Sequence, residues 1–208
     1  MKSQPSPAKS PPKSKPAPQR STARAPHEVR IIGGLWKRTK LAVADKPGLR
    51  PTPDRVRETL FNWLGQDLSG WHCIDVFAGT GALGFEADSR GAKQVLLLEQ
   101  DAALVAQLTA VKTKLDAHAV QVQRSDGVSA LRRATPGSVQ LVLLDPPFDS
   151  GLYDAALAAA AVAVAPDGWI YLEAPVAWKD EALAPLGLAL FRYLKAGAVH
   201  AHLLKRAA

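Results

Sequence analysis

Apolar and polar positions divide the chain into two regimes. Up to residue 26 no apolar period recurs, whereas from about residue 70 short apolar runs alternate with stretches of helical spacing. Cys73 to Phe77 is a largely apolar run closed by Gly79 and Gly81. Residues 82–90 read as a helix stopped by Gly91, and Val95 to Leu98 form a second run ending in Glu99. In 101–116, Leu104, Val105, Leu108, Val111 and Leu115 recur at helical spacing, and Val120 and Val122 suggest a third strand. Val139 to Leu144 supply a fourth strand, the Ala-rich 151–164 a helix, and Trp169 to Leu172 a fifth strand. Strands alternating with helices imply right-handed crossovers and a parallel sheet covered on both faces. The segments 188–195 and 198–205, turning at Gly197, break the alternation and predict an antiparallel hairpin added to that sheet.

Upstream, the spacing predicts a helix capped by Thr52, with Pro53 as its first residue and Gly65 at its end. Val56, Leu60, Phe61 and Leu64 share its apolar face, and Arg55 and Arg57 are expected to point elsewhere. Before it, Trp36 stands among Lys37, Arg38 and Lys40. That pattern suits base stacking with phosphate neutralisation, and equally an aromatic closing a small β-hairpin core. The first 26 residues hold seven prolines, five serines and six basic residues, a composition with nothing to build a core on. The expected organisation is a basic tail over 1–26, an RNA-binding hairpin and helix over 27–66, and a catalytic domain over 67–208.

At 208 residues and 47% hydrophobic, the chain without that tail is the size of one ordinary domain. Its single cysteine, Cys73, excludes an intrachain disulfide and a thiolate metal cluster. No run approaches the roughly 18 to 20 apolar residues of a membrane span, and prolines and serines interrupt the tail where a secretory signal would be apolar. A cytoplasmic protein without membrane attachment is expected. The net charge of +7 divides into +6 over 1–27, +5 over 28–57 and −4 over 58–208. Basic character is therefore confined to the N-terminal part.

Gly79-Thr80-Gly81-Ala82-Leu83-Gly84 matches G-x-G-x-x-G, follows a predicted strand, opens a helix, and is followed by Glu99 at the end of the next strand. Two cofactor classes fit: a dinucleotide, or S-adenosyl-L-methionine. Asp75, four residues before the first glycine, separates them, because a carboxylate there repels a pyrophosphate but favours a sulfonium and an ammonium. Glu99 can accept from ribose hydroxyls, and Asp126, after the third strand, from an adenine amine. No Tyr-x-x-x-Lys of a dehydrogenase is present.

The fourth strand runs into Asp145-Pro146-Pro147-Phe148, at the carboxyl edge beside the glycine loop. Two prolines withdraw two backbone donors and leave carbonyls outward. An exocyclic amine of a nucleobase is a poor nucleophile. Asp145 and the Pro146 carbonyl, accepting its two hydrogens, would aim the nitrogen lone pair at a methyl group, with Phe148 stacking on the base.

The Asp75-to-Gly81 loop with the Asp-Pro-Pro-Phe tetrapeptide resembles the class I S-adenosylmethionine-dependent amino-methyltransferases of nucleic acids. Arg30-Ile31-Ile32-Gly33-Gly34, Leu49-Arg50-Pro51-Thr52 and Asp54-Arg55-Val56-Arg57-Glu58-Thr59-Leu60-Phe61 resemble the N-terminal signature of the RsmD family, over about residues 29–205. The resemblance implies a Rossmann-like α/β fold: a mostly parallel seven-stranded sheet with helices on both faces, a C-terminal antiparallel hairpin and a small N-terminal extension. It implies methylation of the N2 amine of one guanine in 16S rRNA, with the small ribosomal subunit or an assembly intermediate as partner. It assigns cofactor contacts to Asp75, Phe77, Gly79, Gly81, Glu99 and Asp126, and target contacts to Asp145, Pro146 and Phe148. It places Thr52 near the cofactor, and Arg30, Arg50, Arg55 and Arg57 near the RNA. The family pattern has no counterpart of the Pro/Lys tail, and Thr39 replaces its usual basic residue or glycine.

Two other functions fit parts of the pattern: an adenine-N6 or cytosine-N4 methyltransferase of DNA or RNA, and a non-catalytic RNA-binding module. Acids aimed into a crevice near RNA oppose the latter. His200 and His202 share a strand face but lack a third ligand, and His72 beside Cys73 reads as strand filler, so no metal site is expected. Nothing suggests an obligate dimer, and a monomer is expected.

Overall fold

Seven strands form one sheet in this computed structural model, which describes residues 28–43 and 52–207. The tail over 1–26 and the predicted contact Arg50 lie outside the described residues. Five strands are parallel: β3 (His72–Asp75), β4 (Gln94–Glu99), β5 (Val120–Arg124), β6 (Val139–Leu144) and β7 (Val164–Ala174). The hairpin β8 (Leu188–Ala196) and β9 (Val199–Arg206) joins through β9, antiparallel to β7, giving the order β5-β4-β3-β6-β7-β9-β8. The order reverses direction at β3, between β4 and β6, so a crevice opens there at the carboxyl ends of the strands.

Alternation of side chains across the sheet divides the core into two layers. On one face Leu97, Leu141, Tyr171 and Leu203 pack under α1 (Asp54–Leu64), α2 (Ala82–Ser89) and α3 (Ala102–Leu115). On the other face Ile74, Val142, Leu144, Ile170 and Leu172 meet α4 (Gly127–Leu131), the small Ala-rich surface of α5 (Tyr153–Ala163), and α6 (Asp180–Leu183). The two-stranded hairpin of β1 (Glu28–Arg30) and β2 (Lys40–Ala42) belongs to the first layer, with Val29, Ile31 and Leu41 buried beside Leu60 and Phe61. Among the described residues no helix is long and apolar enough to cross a membrane.

Three local expectations need correction. Pro53, not Thr52, stands at the cap of α1, and it makes no side-chain cap; the Thr52 hydroxyl is directed into the crevice instead. Arg57 is fully enclosed, because it lies three and four residues before Leu60 and Phe61 and so on their face. β7 runs to eleven residues rather than only Trp169 to Leu172, beginning where α5 ends, with a register shift between Val139 and Leu141 that takes in Pro166 and Gly168. The short helices α4 and α6 carry too little apolar period to be seen in the sequence.

Arg57 is tolerated in the core because a buried carboxylate meets it. Glu86 of α2 accepts from Arg57 Nη1 at 3.4 Å and from Arg90 Nη2 at 2.8 Å, and both arginine side chains are almost wholly buried. The same carboxylate receives the backbone amides of Ile32 and Gly33, each at 2.8 Å. Arg90 also lies over the Phe61 ring at 4.6 Å. One side chain thus anchors both the hairpin segment and α1 to α2. Glu86→Ala takes from two buried guanidinium groups the buried carboxylate they share, and is expected to cost about 3–5 kcal/mol. Urea unfolding of the variant measures it; a loss below about 1 kcal/mol, the value of an exposed pair, would show that the cluster is not structural.

Candidate active site

Register brings the acids together. Asp75 pairs with Leu143, and Leu144 with Leu172, so Asp145, one residue past the end of β6, lies level with Glu173 of β7. Paired residues of parallel strands point the same way, which puts Asp75, Asp145 and Glu173 on the face covered by α1 and α2. Thr52, just before α1, reaches down from that layer and donates from Oγ1 to Asp145 Oδ2 at 3.4 Å. Arg57 Nε holds the Thr52 carbonyl at 3.2 Å, so the buried arginine fixes the threonine's backbone.

The glycine loop closes the opposite wall. Gly79 and Gly81 have φ of 51° and 76°, a left-handed backbone that favours glycine. Gly79 N–H donates to Glu99 Oε2 at 3.0 Å, and Glu99 Oε1 accepts from Asp101 N–H at 2.9 Å, which locks that carboxylate at the end of β4. Gly84 serves packing: a Cβ there would stand 2.1 Å from Leu97 Cδ2. Its N–H donates to Asp75 Oδ2 at 3.1 Å, while Asp75 Oδ1 is buried without a hydrogen-bond partner among the described residues. Asp126 caps α4, with Oδ1 accepting from Ser129 N–H and Oδ2 from the Gln100 amide, each at 2.7 Å. It is exposed, and its bonds to Ser129 hold its pKa below the usual value.

The interior acids are shifted the other way. Burial pushes the Asp75 carboxyl up to about 7, with Glu99 and Glu173 adding repulsion against the pull of the Gly84 amide. Asp145 keeps some surface on solvent, yet its carboxyl is crowded. Desolvation, then the charges of Glu173 and Asp75, raise it well above an ordinary aspartate, against the Thr52 hydrogen bond. Glu173, 2% exposed, is raised by burial and accepts from the Tyr171 hydroxyl at 2.8 Å. Such a crevice favours positive charge and amine hydrogens and disfavours phosphate.

The family model described as "Conserved hypothetical protein 95" matches residues 29–205. The curated "Ribosomal RNA small subunit methyltransferase D" of Escherichia coli strain K12 is 41% identical over 187 residues, covering 87% of this chain and 91% of that protein. A solved structure of an Escherichia coli protein described as a methyltransferase superposes with a TM-score of 0.74 at 37% identity, covering 87% of this chain and 99% of that one. A Haemophilus influenzae structure described as a methylase gives 0.71 at 32%, covering 87% and 99%. The chain belongs to the RsmD family. It is a methyltransferase, and its sheet is that of the Rossmann-like class I methyltransferases.

Within this RsmD chain the expected contacts divide by placement. Thr52, Asp75, Gly79, Gly81, Glu99 and Asp145 gather at the carboxyl ends of β3, β4 and β6; Asp126 is linked to them through Gln100. Phe77 is half-buried and packs partly into the second core layer. Pro146 is buried, and Phe148, 36% exposed, lies beyond it at the surface. Of the basic residues, Lys37, Arg38 and Arg55 are exposed. Arg30 and Lys40 are exposed too, though paired with Asp54 at 3.6 Å and Glu28 at 2.7 Å. Trp36 is half-buried against the first core layer, as an aromatic closing a small core would be. The Arg57 guanidinium is bonded to the Thr52 carbonyl, Glu86 and Asp54, which leaves it as an internal brace.

Glu173, Tyr171 and Glu86 escaped the sequence reading. The signal for Glu173 was a charged residue at the carboxyl end of an otherwise apolar strand. His202 is buried, taking the Trp178 N–H on Nε2 at 3.0 Å and meeting the Leu172 carbonyl through Nδ1, while His200 Nδ1 meets the Tyr193 hydroxyl at 2.6 Å. Among the described residues no cluster could hold a metal ion.

Proposed function

We propose that this protein transfers a methyl group from S-adenosyl-L-methionine to the exocyclic N2 amine of one guanine in 16S rRNA. Its substrate in this reading is the small ribosomal subunit or an assembly intermediate. The observation that carries the reading is Asp145-Pro146 at the end of β6, beside a crevice whose buried acids exceed its cations. The small-subunit rRNA named for the Escherichia coli relative supports the choice of target.

The residues present fit a cationic methyl donor. Asp75 Oδ1 lacks a completed hydrogen bond, and the Gly79–Gly81 backbone offers close approach without side chains. Glu99, whose oxygens each accept one amide, retains lone pairs for ribose hydroxyls, and Asp126 can accept from an adenine amine. When bound, this cofactor supplies an electrophilic methyl group on sulfur and two positive charges. Asp145 and the Pro146 carbonyl accept the two hydrogens of the target amine, hold its lone pair toward the methyl-bearing side, and stabilise the charge that grows on nitrogen. Phe148 offers a stacking face for a base swung out of its helix. Direct displacement needs no covalent nucleophile. Exposed Lys37, Arg38 and Arg55 of the 27–66 extension would meet phosphates, and so would the basic tail over 1–26, at a strength that falls with salt. Arg30, Lys40 and Arg50 join that set by family resemblance.

An adenine-N6 or cytosine-N4 target would use the same acceptor chemistry. Small subunits from cells lacking this protein distinguish the readings. Incubated with purified enzyme and labelled S-adenosyl-L-methionine, they are expected to yield label as N2-methylguanosine after digestion to nucleosides. Label in adenosine or cytidine overturns the guanine assignment, and no incorporation into any nucleoside favours a non-catalytic RNA-binding module.

A further inference from the structure

The outermost strand of the sheet carries an exposed aromatic ring and an exposed lysine at the same edge as the catalytic crevice, and the methyl transfer uses neither. We propose that the tip of the β8–β9 hairpin is a docking surface for the single-stranded rRNA flanking the target nucleotide. A base stacks on Tyr193, and a phosphate meets Lys195. The proposal rests on the rRNA reading of the catalytic site.

Register places both residues. Leu144 of β6 pairs with Leu172 of β7, Leu172 with His202 of β9, and His202 with Tyr193 of β8. Tyr193 therefore stands at the level where β6 gives way to Asp145, three strand spacings or about 14 Å across the sheet. Lys195 pairs with His200, and His200 with Ala174, the last residue of β7, so the lysine lies at the rim itself. Tyr193, Lys195 and His200 share one sheet face. The Tyr193 hydroxyl meets His200 Nδ1 at 2.6 Å and its ring leans on His202, with centroids 5.2 Å apart. Those contacts hold the ring in place while it remains 42% exposed. Between hairpin and crevice, the loop after β7 continues the surface: Trp178 N–H donates to His202 Nε2 at 3.0 Å, and Val176 and Lys179 beside it are exposed.

The charge of the hairpin suits a polyanion. Residues 186–208 hold Arg192, Lys195, Lys205 and Arg206 and no acid, although 58–208 as a whole carries −4. Arg192 and Lys205 turn to the other face, over the Phe191 ring at 4.4 and 5.6 Å. Lys195 is exposed and makes no ion pair among the described residues. Neighbouring acids are directed elsewhere: Glu173 lies on the face covered by α1, and Asp180 accepts from Leu190 N–H at 3.0 Å. β8 is also the open edge of the sheet. A charge on an open edge blocks pairing with another chain, whereas an exposed ring beside it invites contact, so edge protection accounts for Lys195 but not for Tyr193. A held aromatic face with a cation two residues along matches the base and phosphate of a single strand.

Binding and single-turnover methylation of small subunits from cells lacking this protein, at several salt concentrations, test the surface. Tyr193→Ala should weaken subunit binding about tenfold, whereas Tyr193→Phe, which keeps the ring and loses the His200 contact, should bind as the wild type does. Lys195→Gln should weaken binding at low salt and reduce the slope of log affinity against log salt by about 0.7, the share of one single-strand phosphate. All three variants should keep the single-turnover rate at saturating subunit and the dissociation constant for S-adenosyl-L-methionine, because the crevice is untouched. Wild-type affinity in Tyr193→Ala overturns the proposal, and so does a Tyr193→Phe protein as weak as Tyr193→Ala, which would make the hydroxyl a structural brace. Losses in the Ala and Gln variants with an unchanged salt slope overturn it in favour of a ribosomal protein at this surface. The wild type keeps the two readings apart. If it labels 16S rRNA while the variants bind equally well, the docking surface falls and the rRNA reading stands; if it labels no rRNA, both fall.

Discussion

Asp145→Ala should lower the methyl-transfer rate by on the order of 10²–10³ while the dissociation constant for S-adenosyl-L-methionine changes by no more than a few-fold. The asymmetry follows from placement. Asp145 extends from β6 toward Thr52 and Glu173, whereas the glycine loop and Glu99 belong to β3, α2 and β4. Removing the carboxyl deletes an acceptor that matters only as charge develops on the amine nitrogen, and leaves the cofactor wall standing. Single-turnover rates with excess enzyme report chemistry directly, and calorimetric titration with the cofactor reports binding. Unchanged single-turnover chemistry would end the amine-orienting role; a parallel collapse of cofactor affinity would move Asp145 to the cofactor wall.

Asp75→Asn is expected to stabilise the cofactor-free protein at alkaline pH. The folded protein holds the Asp75 carboxyl near 7, against about 3.9 for an unfolded aspartate. A raised folded value means that its contribution to stability is full below about pH 4 and is gone once pH has risen through about 7. Between pH 8.5 and pH 5.5 the wild type should therefore recover about 2 kcal/mol from this one group. Asp145 and Glu173, also raised, add in the same direction. Glu28, Asp67 and Asp126 are lowered instead, so their effect falls below about pH 4, outside this window, and at the surface solvent screens it. Urea midpoints at the two pH values measure the difference between variant and wild type. A difference that does not grow with pH would show that Asp75 is not a desolvated charge. Cofactor binding should shrink the advantage of the variant, because the cationic ligand gives the wild-type carboxylate the partner it lacks.

Much of the architecture was written locally. The strand-helix alternation, the glycine loop and the Gly197 hairpin depend on neighbouring residues, and each predicted strand has its counterpart in the sheet. What escaped depends on pairing across the chain. Glu173 ends an apolar strand, and its place beside Asp145 appears only when β7 aligns beside β6. Arg57 was expected outside because charge outweighed spacing, although its position before Leu60 and Phe61 put it on their stripe. Its counter-charge, Glu86, sits in another helix, and no local pattern announces that match. Thr52 was read as a cap for the same reason: a hydroxyl before a helix satisfies the helix unless tertiary structure offers it a buried carboxylate.

The Glu86 cluster also bears on how this chain could be rebuilt. Through it the hairpin amides, Arg57 and, by way of the Thr52 carbonyl, the Asp145 side chain stand on one carboxylate. The N-terminal segment is thus no detachable adaptor on a generic catalytic sheet. A chimaera that grafts it onto another class I scaffold would have to carry Glu86 of α2 and the Arg90 that follows that helix, or lose the threonine from the crevice along with the hairpin.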